Sequence, residues 1–596
     1  MRRENSFMCG IAGVMMGGAR AADRATLDRL AAAIHHRGPD GTGFHSDGAV
    51  GLVCTRLAII DLVTGDQPLF GPRGAVLVAN GEIYNDLELR AALGKGEFRT
   101  GSDCESPLQL YCRKGLDFVD DLRGMYGIAI HDPEAAHLVL ARDPFGIKPL
   151  YYVEDAAGFA FASEPQALIA AGLAGRAIRP QRRAELLQLK FTTGSETIFT
   201  DIHRVLPGET LVIKGGRIAE RRRRNAIPSG APVEMGYDEA ERQLDGILSE
   251  SVALHLRSDV PYGLFLSSGI DSSALIAMMT RLSAGPVVAF TVGFPGSKGA
   301  DERAIAERVA RAVGAEHHVV ELTESYFWSH APRVAAAVDD PTTDGATLPT
   351  YALGEAAKGS LKVVLSGEGA DEIFGGYARY RRARWLWGLL AGKARRRGEF
   401  DGLANLGAAL DGWRDGLGQA EAREALAERT RLQALQAVDC AEWLPNDLLV
   451  KLDRCLMAHS VEGRTPYLDP VVAEFAMRLP DALKVRGRFG KRLLRDWLAK
   501  NVASAEPYAR KTGFNPPVGQ WIAAKKADIA ALVAGEPGVA EIAGPEAVKG
   551  VFAEPERNAQ AAWSLLFYAL WHSHHVLGVS PEGTIRDTLV AAARLG

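Results

Sequence analysis

The chain reads as two folded parts of different class with a helical end. An α+β region comes first, and an α/β region built on a doubly wound parallel sheet follows. Three observations lead there. Between Val50 and about Phe161 short apolar strands alternate with turn residues, and Ile128–Ile130 and Leu138–Leu140 flank Asp132-Pro133-Glu134 as hairpin arms. From Tyr237 onward, short apolar strands are spaced by helices, the pattern of a parallel sheet covered on both faces. In between, Arg204 to Arg224 carries Pro207-Gly208 and four consecutive arginines, and Ala226 to Pro232 is rich in Pro, Gly and Ser. This composition shift has no hydrophobic period. We therefore expect folded units at 9–225 and 241–535, a linker at 226–240 and a helical segment at 536–596, with residues 1–8 a leader or a misassigned start.

Composition bounds the partners. A length of 596 residues gives room for two or more cores, and 47% apolar with 24% charged residues is ordinary for a soluble globular protein. A net charge of −4 gives no reason to expect nucleic acid or an anionic membrane. The apolar run Trp385 to Ala391 is far too short to span a bilayer. Met1 to Phe7 is short and mostly polar, so no secretory signal precedes the first region. The cysteines (Cys9, Cys54, Cys104, Cys112, Cys440, Cys455) are scattered without a CxxC pair, which suggests neither zinc nor a disulfide framework. The expected location is the cytoplasm.

In the first region, Met8-Cys9-Gly10-Ile11 places a cysteine where removal of the preceding residues would make it terminal. It would then carry a thiol and an α-amine of pKa about 8 on one residue, nucleophile and base together. A lone cysteine is more often a small core residue, so the neighbours decide. Val76 to Ala79 is a strand running into the polar triplet Asn80-Gly81-Glu82 at its end. His35-His36-Arg37-Gly38-Pro39-Asp40 follows a helix, and Thr55 to Asp61 is a strand carrying one cation, Arg56. Together with Asn80 to Asn85 and Thr100-Gly101-Ser102-Asp103, these segments resemble the glutaminase domain of the N-terminal-nucleophile amidotransferases, an αββα fold. The resemblance implies that Cys9 attacks the glutamine side-chain amide, with Asn80 and the Gly81 N–H as oxyanion hole. Arg56 would pair with the α-carboxylate and Asp103 with the α-ammonium, with Leu57, Ile60 and Glu82 completing the glutamine site. A bidentate guanidinium suits a carboxylate and an acid suits an ammonium. If Met1 is the start, Cys9 lacks a free amine, so we expect translation from Met8 or removal of residues 1–8. Intact-mass measurement of active protein would show which.

In the second region a helix to about Leu256 leads into the strand Tyr262 to Leu266, a Ser/Gly loop, and a helix from about Ser272 to Leu282. Free N–H groups and the dipole at that helix start make an anion site. Asp271 within it makes sense if Mg²⁺ bridges the acid to a polyphosphate; the plain alternative is a turn capped by Ser272. Val287 to Phe294 and His318 to Leu322 are further strands, Arg303 to Val313 and Leu348 to Lys358 helices, and Leu361 to Leu365 a strand. That strand opens the second acidic loop, Ser366-Gly367-Glu368-Gly369-Ala370-Asp371-Glu372. Its crowded carboxylates would repel one another unless a metal or substrate cation intervened. The loop at Ser267 lacks the Gly-Lys-Ser/Thr ending of a Walker loop. It resembles the Ser-Gly-Gly-x-Asp-Ser loop of ATP pyrophosphatases, with Ser268 for the first Gly. The second loop, with Lys451–Arg454, Glu462–Asp469 and Gly490–Arg495, resembles asparagine synthetases that hydrolyse glutamine.

That resemblance implies ATP at Leu266, Ser267, Ser268, Gly269, Asp271, Ser272, Val292, Ser366 and Gly367, with Mg²⁺ on Asp271 and Asp371. Glu368 would support acyl-adenylate formation or ammonia attack, and Lys491 the phosphate charge. Leu493, Leu494, Trp497 and Leu498 form one apolar helix face, and Lys491 and Arg495 share the other. The implied partners are glutamine and aspartate, or another small carboxylate such as one on a sugar or peptide precursor. A homodimer stays open, as does an inactive synthetase-like scaffold. Asp340 to Thr350 lies where the acceptor should bind and contains no Arg, so Arg464 or Arg454 would have to supply the cation unless both are structural ion pairs. The stretch Tyr377 to Asn446 is helical in composition and says nothing about chemistry.

Overall fold

The computed structural model describes residues 9–296, 302–383, 394–403, 406–509 and 516–595. The expected start at Met8 and the apolar run Trp385–Ala391 lie outside the described residues, as does part of the 377–446 stretch.

The first region holds strands β1 (Gly10–Met16), β2 (Gly41–Asp47), β3 (Val50–Arg56), β4 (Leu69–Phe70), β5 (Val76–Ile83) and β6 (Gly124–Asp132). They are followed by β7 (His137–Arg142), β8 (Tyr151–Asp155), β9 (Gly158–Ala162), β10 (His203–Arg204), β11 (Glu209–Lys214) and β12 (Arg217–Arg223). They form two six-stranded sheets, β10-β8-β9-β1-β3-β2 and β12-β11-β7-β6-β5-β4. Ile11, Leu52, Val78, Ala129, Leu140 and Phe161 fill the space between the sheets. The helix Arg24–Ala33 packs outside the first sheet, and the helix Glu105–Lys114 outside the second. The layers are therefore αββα, and β1 is buried along nearly its whole length because it is covered on both faces. At Gly13 a β-carbon would sit 2.6 Å from the Gly51 carbonyl and the Phe161 ring, so only glycine lets the strands close there.

Three details differ from the sequence expectation. β3 ends at Arg56, and Leu57–Asp61 leaves the sheet to line a cleft. Asn80-Gly81-Glu82 lies inside β5, paired with Gly127, Tyr126 and Met125 of β6, rather than at a strand end. The Arg-rich stretch belongs to the second sheet: β12 is its edge strand, antiparallel to β11, and exposed over most of its length. An edge strand with two wet faces carries no hydrophobic period and gains protection from its charges.

In the second region β13 (Tyr262–Phe265), β14 (Val288–Gly293), β15 (Glu316–Glu321), β16 (Val363–Leu365) and β17 (Glu462–Arg464) form one sheet, parallel throughout, in the order β15-β14-β13-β16-β17. The chain winds outward from β13 through β14 to β15, then returns to β16 on the other side. The crevice beyond the carboxyl ends of β13 and β16 is thus the topological switch point, where open α/β sheets bind ligands. The helices Tyr237–His255, Ile270–Leu282 and Arg492–Asn501 pack on one face of the sheet, and Glu324–Ala337, Thr347–Ala357 and Leu449–Met457 on the other. The first of these starts at Tyr237, within the expected linker. The sequence pattern had not shown the helix Glu324–Ala337 or the charged strand β17. The helix Ala559–His575 buries Trp563 and Trp571 completely against this second group. Among the described residues no helix is long and apolar enough to cross a membrane.

Candidate active sites

The first cleft, about 380 Å³, opens beside Cys9, which directly precedes β1. Arg56, Leu57, Ile60, Asn80, Gly81, Glu82 and Asp103 all line it, with Gln67, Ser102 and Glu462. β1 delivers the thiol, the turn out of β3 delivers Arg56 and Leu57, and β5 delivers the triplet. The Leu57 N–H donates to Cys9 Sγ at 3.3 Å. The neighbouring Cys54 thiol, that amide and the Arg56 charge hold the Cys9 pKa below the usual thiol range against the cost of desolvation. The other five cysteines are shifted the other way, Cys54 first by its hydrogen bond to Cys9 and the rest chiefly by burial; Cys455 is pushed up to about 12. Iodoacetamide near neutral pH is accordingly expected to label Cys9 alone, read by peptide mass spectrometry; equal labelling of Cys112 would count against a specially activated thiol.

The rest of the cleft is electrostatically prepared. Arg56 is held by Asp66 (2.6 Å) and the Asp61 carbonyl (2.5 Å). Asp61 in turn accepts from the Thr64 and Gly101 amides, joining the two loops that flank the guanidinium. Asn80 is 1% exposed, and among the described residues its side-chain Nδ2 has no hydrogen-bond partner. A buried, unpaired amide donor is costly, and here it lines the same cleft as the thiol. At Gly81 a β-carbon would meet the Met125 carbonyl at 2.1 Å, so no side chain can cover its amide. Asp103 accepts from the Ile83 N–H (2.6 Å) and burial raises its pKa to about 6. The Glu82 side chain is taken by Arg464 at 3.1 Å.

The second cleft, about 550 Å³, lies at the switch point. Ser268, Gly269, Asp271, Asp371, Gly376, Lys491 and Arg495 line it. The 13-residue helix Ile270–Leu282 starts in it with Asp271 in its first turn. The two acidic loops touch: at Gly367 a β-carbon would lie 3.0 Å from Asp271 Cβ. Lys491, at the left-handed position before the helix Arg492–Asn501, is buried, with its ammonium 2.6 Å from Asp271 and 2.6 Å from Asp371. A β-carbon at Gly376 would overlap both Asp371 and Lys491, which fixes that position as glycine. Leu266 and Val292 are buried at the strand ends, with Ser366 and Gly367 partly buried beside them. Ser272 Oγ accepts from the Ser267 amide (3.1 Å), so it braces the loop. The third acid, Glu372, is turned inward onto the Tyr377 hydroxyl (2.7 Å), and its pKa rises to about 8 through burial and the nearby Asp371.

Glu368 belongs to a third cluster. Lys451 sits 3.3 Å from Glu368 and 3.5 Å from Asp344, and these acids hold it charged despite burial. Asp447, one helical turn earlier, accepts from the Thr342 hydroxyl. In the sequence Lys451 stands only as part of the Lys451–Arg454 motif, with no role of its own, and Asp447 carries no expectation. Their i, i+4 spacing beside a proline-containing π-helical stretch, Asp439–Leu448, was the available signal. Neither expected arginine reaches this cluster. Arg464 is fully buried against Glu462 (2.7 Å), Glu82 and two carbonyls, and Arg454 against Asp339 (2.6 Å) and Asp453 (2.9 Å). Asp340 is taken by Arg204 (2.7 Å) and the Tyr151 hydroxyl (2.8 Å). The Arg454 pairs and Arg464–Glu462 lie within the second region, whereas Arg464–Glu82 and Arg204–Asp340 are structural pairs between the two regions. Arg37 is another, donating to Glu164 (2.7 Å), to both Asp453 oxygens (2.8 and 3.0 Å) and to the Cys9 carbonyl (3.4 Å).

Sequence comparison fits this two-cleft geometry. A family model described as glutamine amidotransferase domain matches residues 8–223, and one described as asparagine synthase matches residues 243–573. Relatives span nearly the whole chain. A putative asparagine synthetase [glutamine-hydrolyzing] of Mycobacterium tuberculosis H37Rv is 32% identical over 95% of this chain and 97% of its own length. Asparagine synthetase [glutamine-hydrolyzing] 1 of Bacillus subtilis is 30% identical over 96% of this chain and 97% of its own length. Asparagine synthetase B [glutamine-hydrolyzing] of Escherichia coli is 32% identical over 86% and 83%.

Proposed function

The chain belongs to the asparagine synthase family, and from that premise we propose that it makes asparagine from aspartate, glutamine and ATP, in the cytoplasm. The observation that carries the reading is the Asn80 amide, unpaired among the described residues, in the cleft of an activated Cys9, in a chain whose second cleft is lined by Asp271, Asp371, Lys491 and Arg495.

In the first cleft the Cys9 thiolate attacks the glutamine side-chain amide. Asn80 Nδ2 and the Gly81 N–H donate to the developing oxyanion, a contribution of about 3–4 kcal/mol per donor. Arg56 takes the α-carboxylate and Asp103 the α-ammonium. The α-amine of Cys9, once exposed, moves the proton to the leaving ammonia, and water then releases glutamate from the thioester. Asp103 gives this step a pH dependence. Its carboxyl is raised to about 6, so below that pH it is neutral and loses its attraction for an ammonium. The KM for glutamine is therefore expected to rise as pH falls through about 6, and Asp103→Asn should raise it above that pH, converge with wild type below it, and so flatten the profile. A wild-type KM that is flat from pH 5 to 7.5 would remove Asp103 from the site.

In the second cleft the phosphates of ATP lie over the start of the helix Ile270–Leu282. The acceptor carboxylate attacks the α-phosphorus, pyrophosphate leaves, ammonia attacks the acyl-adenylate, and AMP departs. Lys491 and Arg495 face the phosphate charge. Two carboxylates beside a phosphate site suit Mg²⁺, which binds through one or two carboxylates plus substrate phosphates, and Asp271 and Asp371 are the residues that would hold it. Bound there, the ion neutralises phosphate charge. Lys451 replaces Arg454 and Arg464 as the cation for the acceptor: held between Glu368 and Asp344, it meets the acceptor carboxylate while Asp344 meets the ammonium. The test supplies ATP, Mg²⁺, amide-labelled ¹⁵N-glutamine and L-aspartate. Label in asparagine with one AMP per asparagine is expected. Glutamine hydrolysis without labelled asparagine would overturn the aspartate assignment and point to another carboxylate.

A further inference from the structure

Away from both clefts, the two sheets of the first region bring three metal-ligating side chains together: His45, Asp47 and His131. Each offers one ligand atom, and the three atoms lie within 4.8 Å of one another. The topology explains the meeting. His45 and Asp47 stand two apart on β2, so they project from one face of that strand. β2 is the edge of the first sheet, whereas His131 lies on β6 within the second. His45 Nε2 and His131 Nδ1 are 3.3 Å apart with the rings tilted by 43°. Two nitrogens each about 2.0–2.1 Å from one tetrahedral zinc are separated by about 3.3–3.4 Å. Phe70 packs edge-on against His45 at 6.3 Å and walls the site on one side.

We propose that His45, Asp47 and His131 form a site for a divalent transition metal of the zinc class, which pins the edge strand β2 to the facing sheet. Two imidazoles and one carboxylate suit such a cation. His131 is buried, His45 half-buried and Asp47 exposed, which leaves an entry path and an open coordination position on the solvent side.

The competing account of the same geometry is a plain hydrogen bond between two neutral histidines, and the test separates them. The full chain is stripped with chelator and titrated with CoCl₂, then with ZnCl₂. One equivalent of Co²⁺ with the visible absorption of a four- or five-coordinate nitrogen and oxygen site is expected, displaced by Zn²⁺, and Zn²⁺ should raise the unfolding midpoint. Asp47→Asn and His45→Asn, changes at accessible positions that the fold tolerates, should each weaken binding at least tenfold, whereas Cys9→Ala and Asp271→Asn should leave it unchanged. Glutamine hydrolysis by the Asp47→Asn variant should equal that of wild type, because the cluster lies outside the cleft. A wild-type chain that retains neither ion, or undiminished affinity in both His45→Asn and Asp47→Asn, would overturn the site and leave the hydrogen bond.

Discussion

Replacing Cys9 by alanine is expected to lower glutamine-dependent synthesis by about 10⁴-fold or more while sparing synthesis from ammonium salts. Losses of that order follow removal of a nucleophile that acts in concert with its base and oxyanion donors. The thiol touches Leu57 and lines only the first cleft, whereas Lys491, Asp271 and Asp371 stand together in the second. The substitution removes a single sulfur atom and keeps the Cys9 carbonyl that Arg37 grips, so the joint between the regions stays intact. The measurement is AMP formation with glutamine and, separately, with ammonium chloride. A variant with wild-type circular dichroism and melting temperature that loses both activities would show that the clefts do not work separately. Asn80→Ala should be milder, about 10²–10³-fold on glutamine use, as for loss of one oxyanion donor.

The second large effect belongs to the charge cluster at the switch point. Asp271→Asn and Asp371→Asn are each expected to cut adenylation by about 10²–10³-fold and leave glutamine hydrolysis within a factor of about two. Each removes one of the two carboxylates on Lys491 but leaves the other, so Lys491 keeps a partner and the fold should persist. Lys491→Met removes the cation and leaves the two acids facing each other. That variant should melt lower than wild type and be raised more than wild type by added Mg²⁺, because a divalent ion then replaces the lost charge. Melting curves with and without MgCl₂, beside pyrophosphate release, test both halves. No greater Mg²⁺ effect in Lys491→Met would remove Asp271 and Asp371 as a metal pair. Ser268→Gly should be close to neutral, since the position lines the cleft but neighbouring backbone defines the loop.

Much of this was legible in the sequence because it is local. Strand and helix periods pointed to a strand-rich first region and a parallel-sheet second region, the αββα layering was implied by the resemblance, and the helix Arg303–Val313 ends where the pattern says. Loop chemistry pointed to both clefts, and the residues expected to hold glutamine all line one cavity. A cleft residue announces itself by a type that is odd for its segment: an acid in a glycine loop, an amide in an apolar strand. What the periodicity could not carry is which charge meets which. Lys451, Arg454 and Arg464 look alike as cations in one motif-rich stretch. Yet Lys451 faces Glu368 and Asp344, while the two arginines are spent on Asp339, Asp453, Glu82 and Glu462. Buried charges must be paired to exist at all. Their partners are separated by up to hundreds of residues along the chain, as Arg464 and Glu82 are, so only the folded chain brings them together. The sequence by itself therefore determined most of the periodic elements and the residue types in each loop, but not the helix Glu324–Ala337 or the charged strand β17. The tertiary structure decided the pairing of the buried ions, because each charge needs a partner that only the folded chain brings beside it.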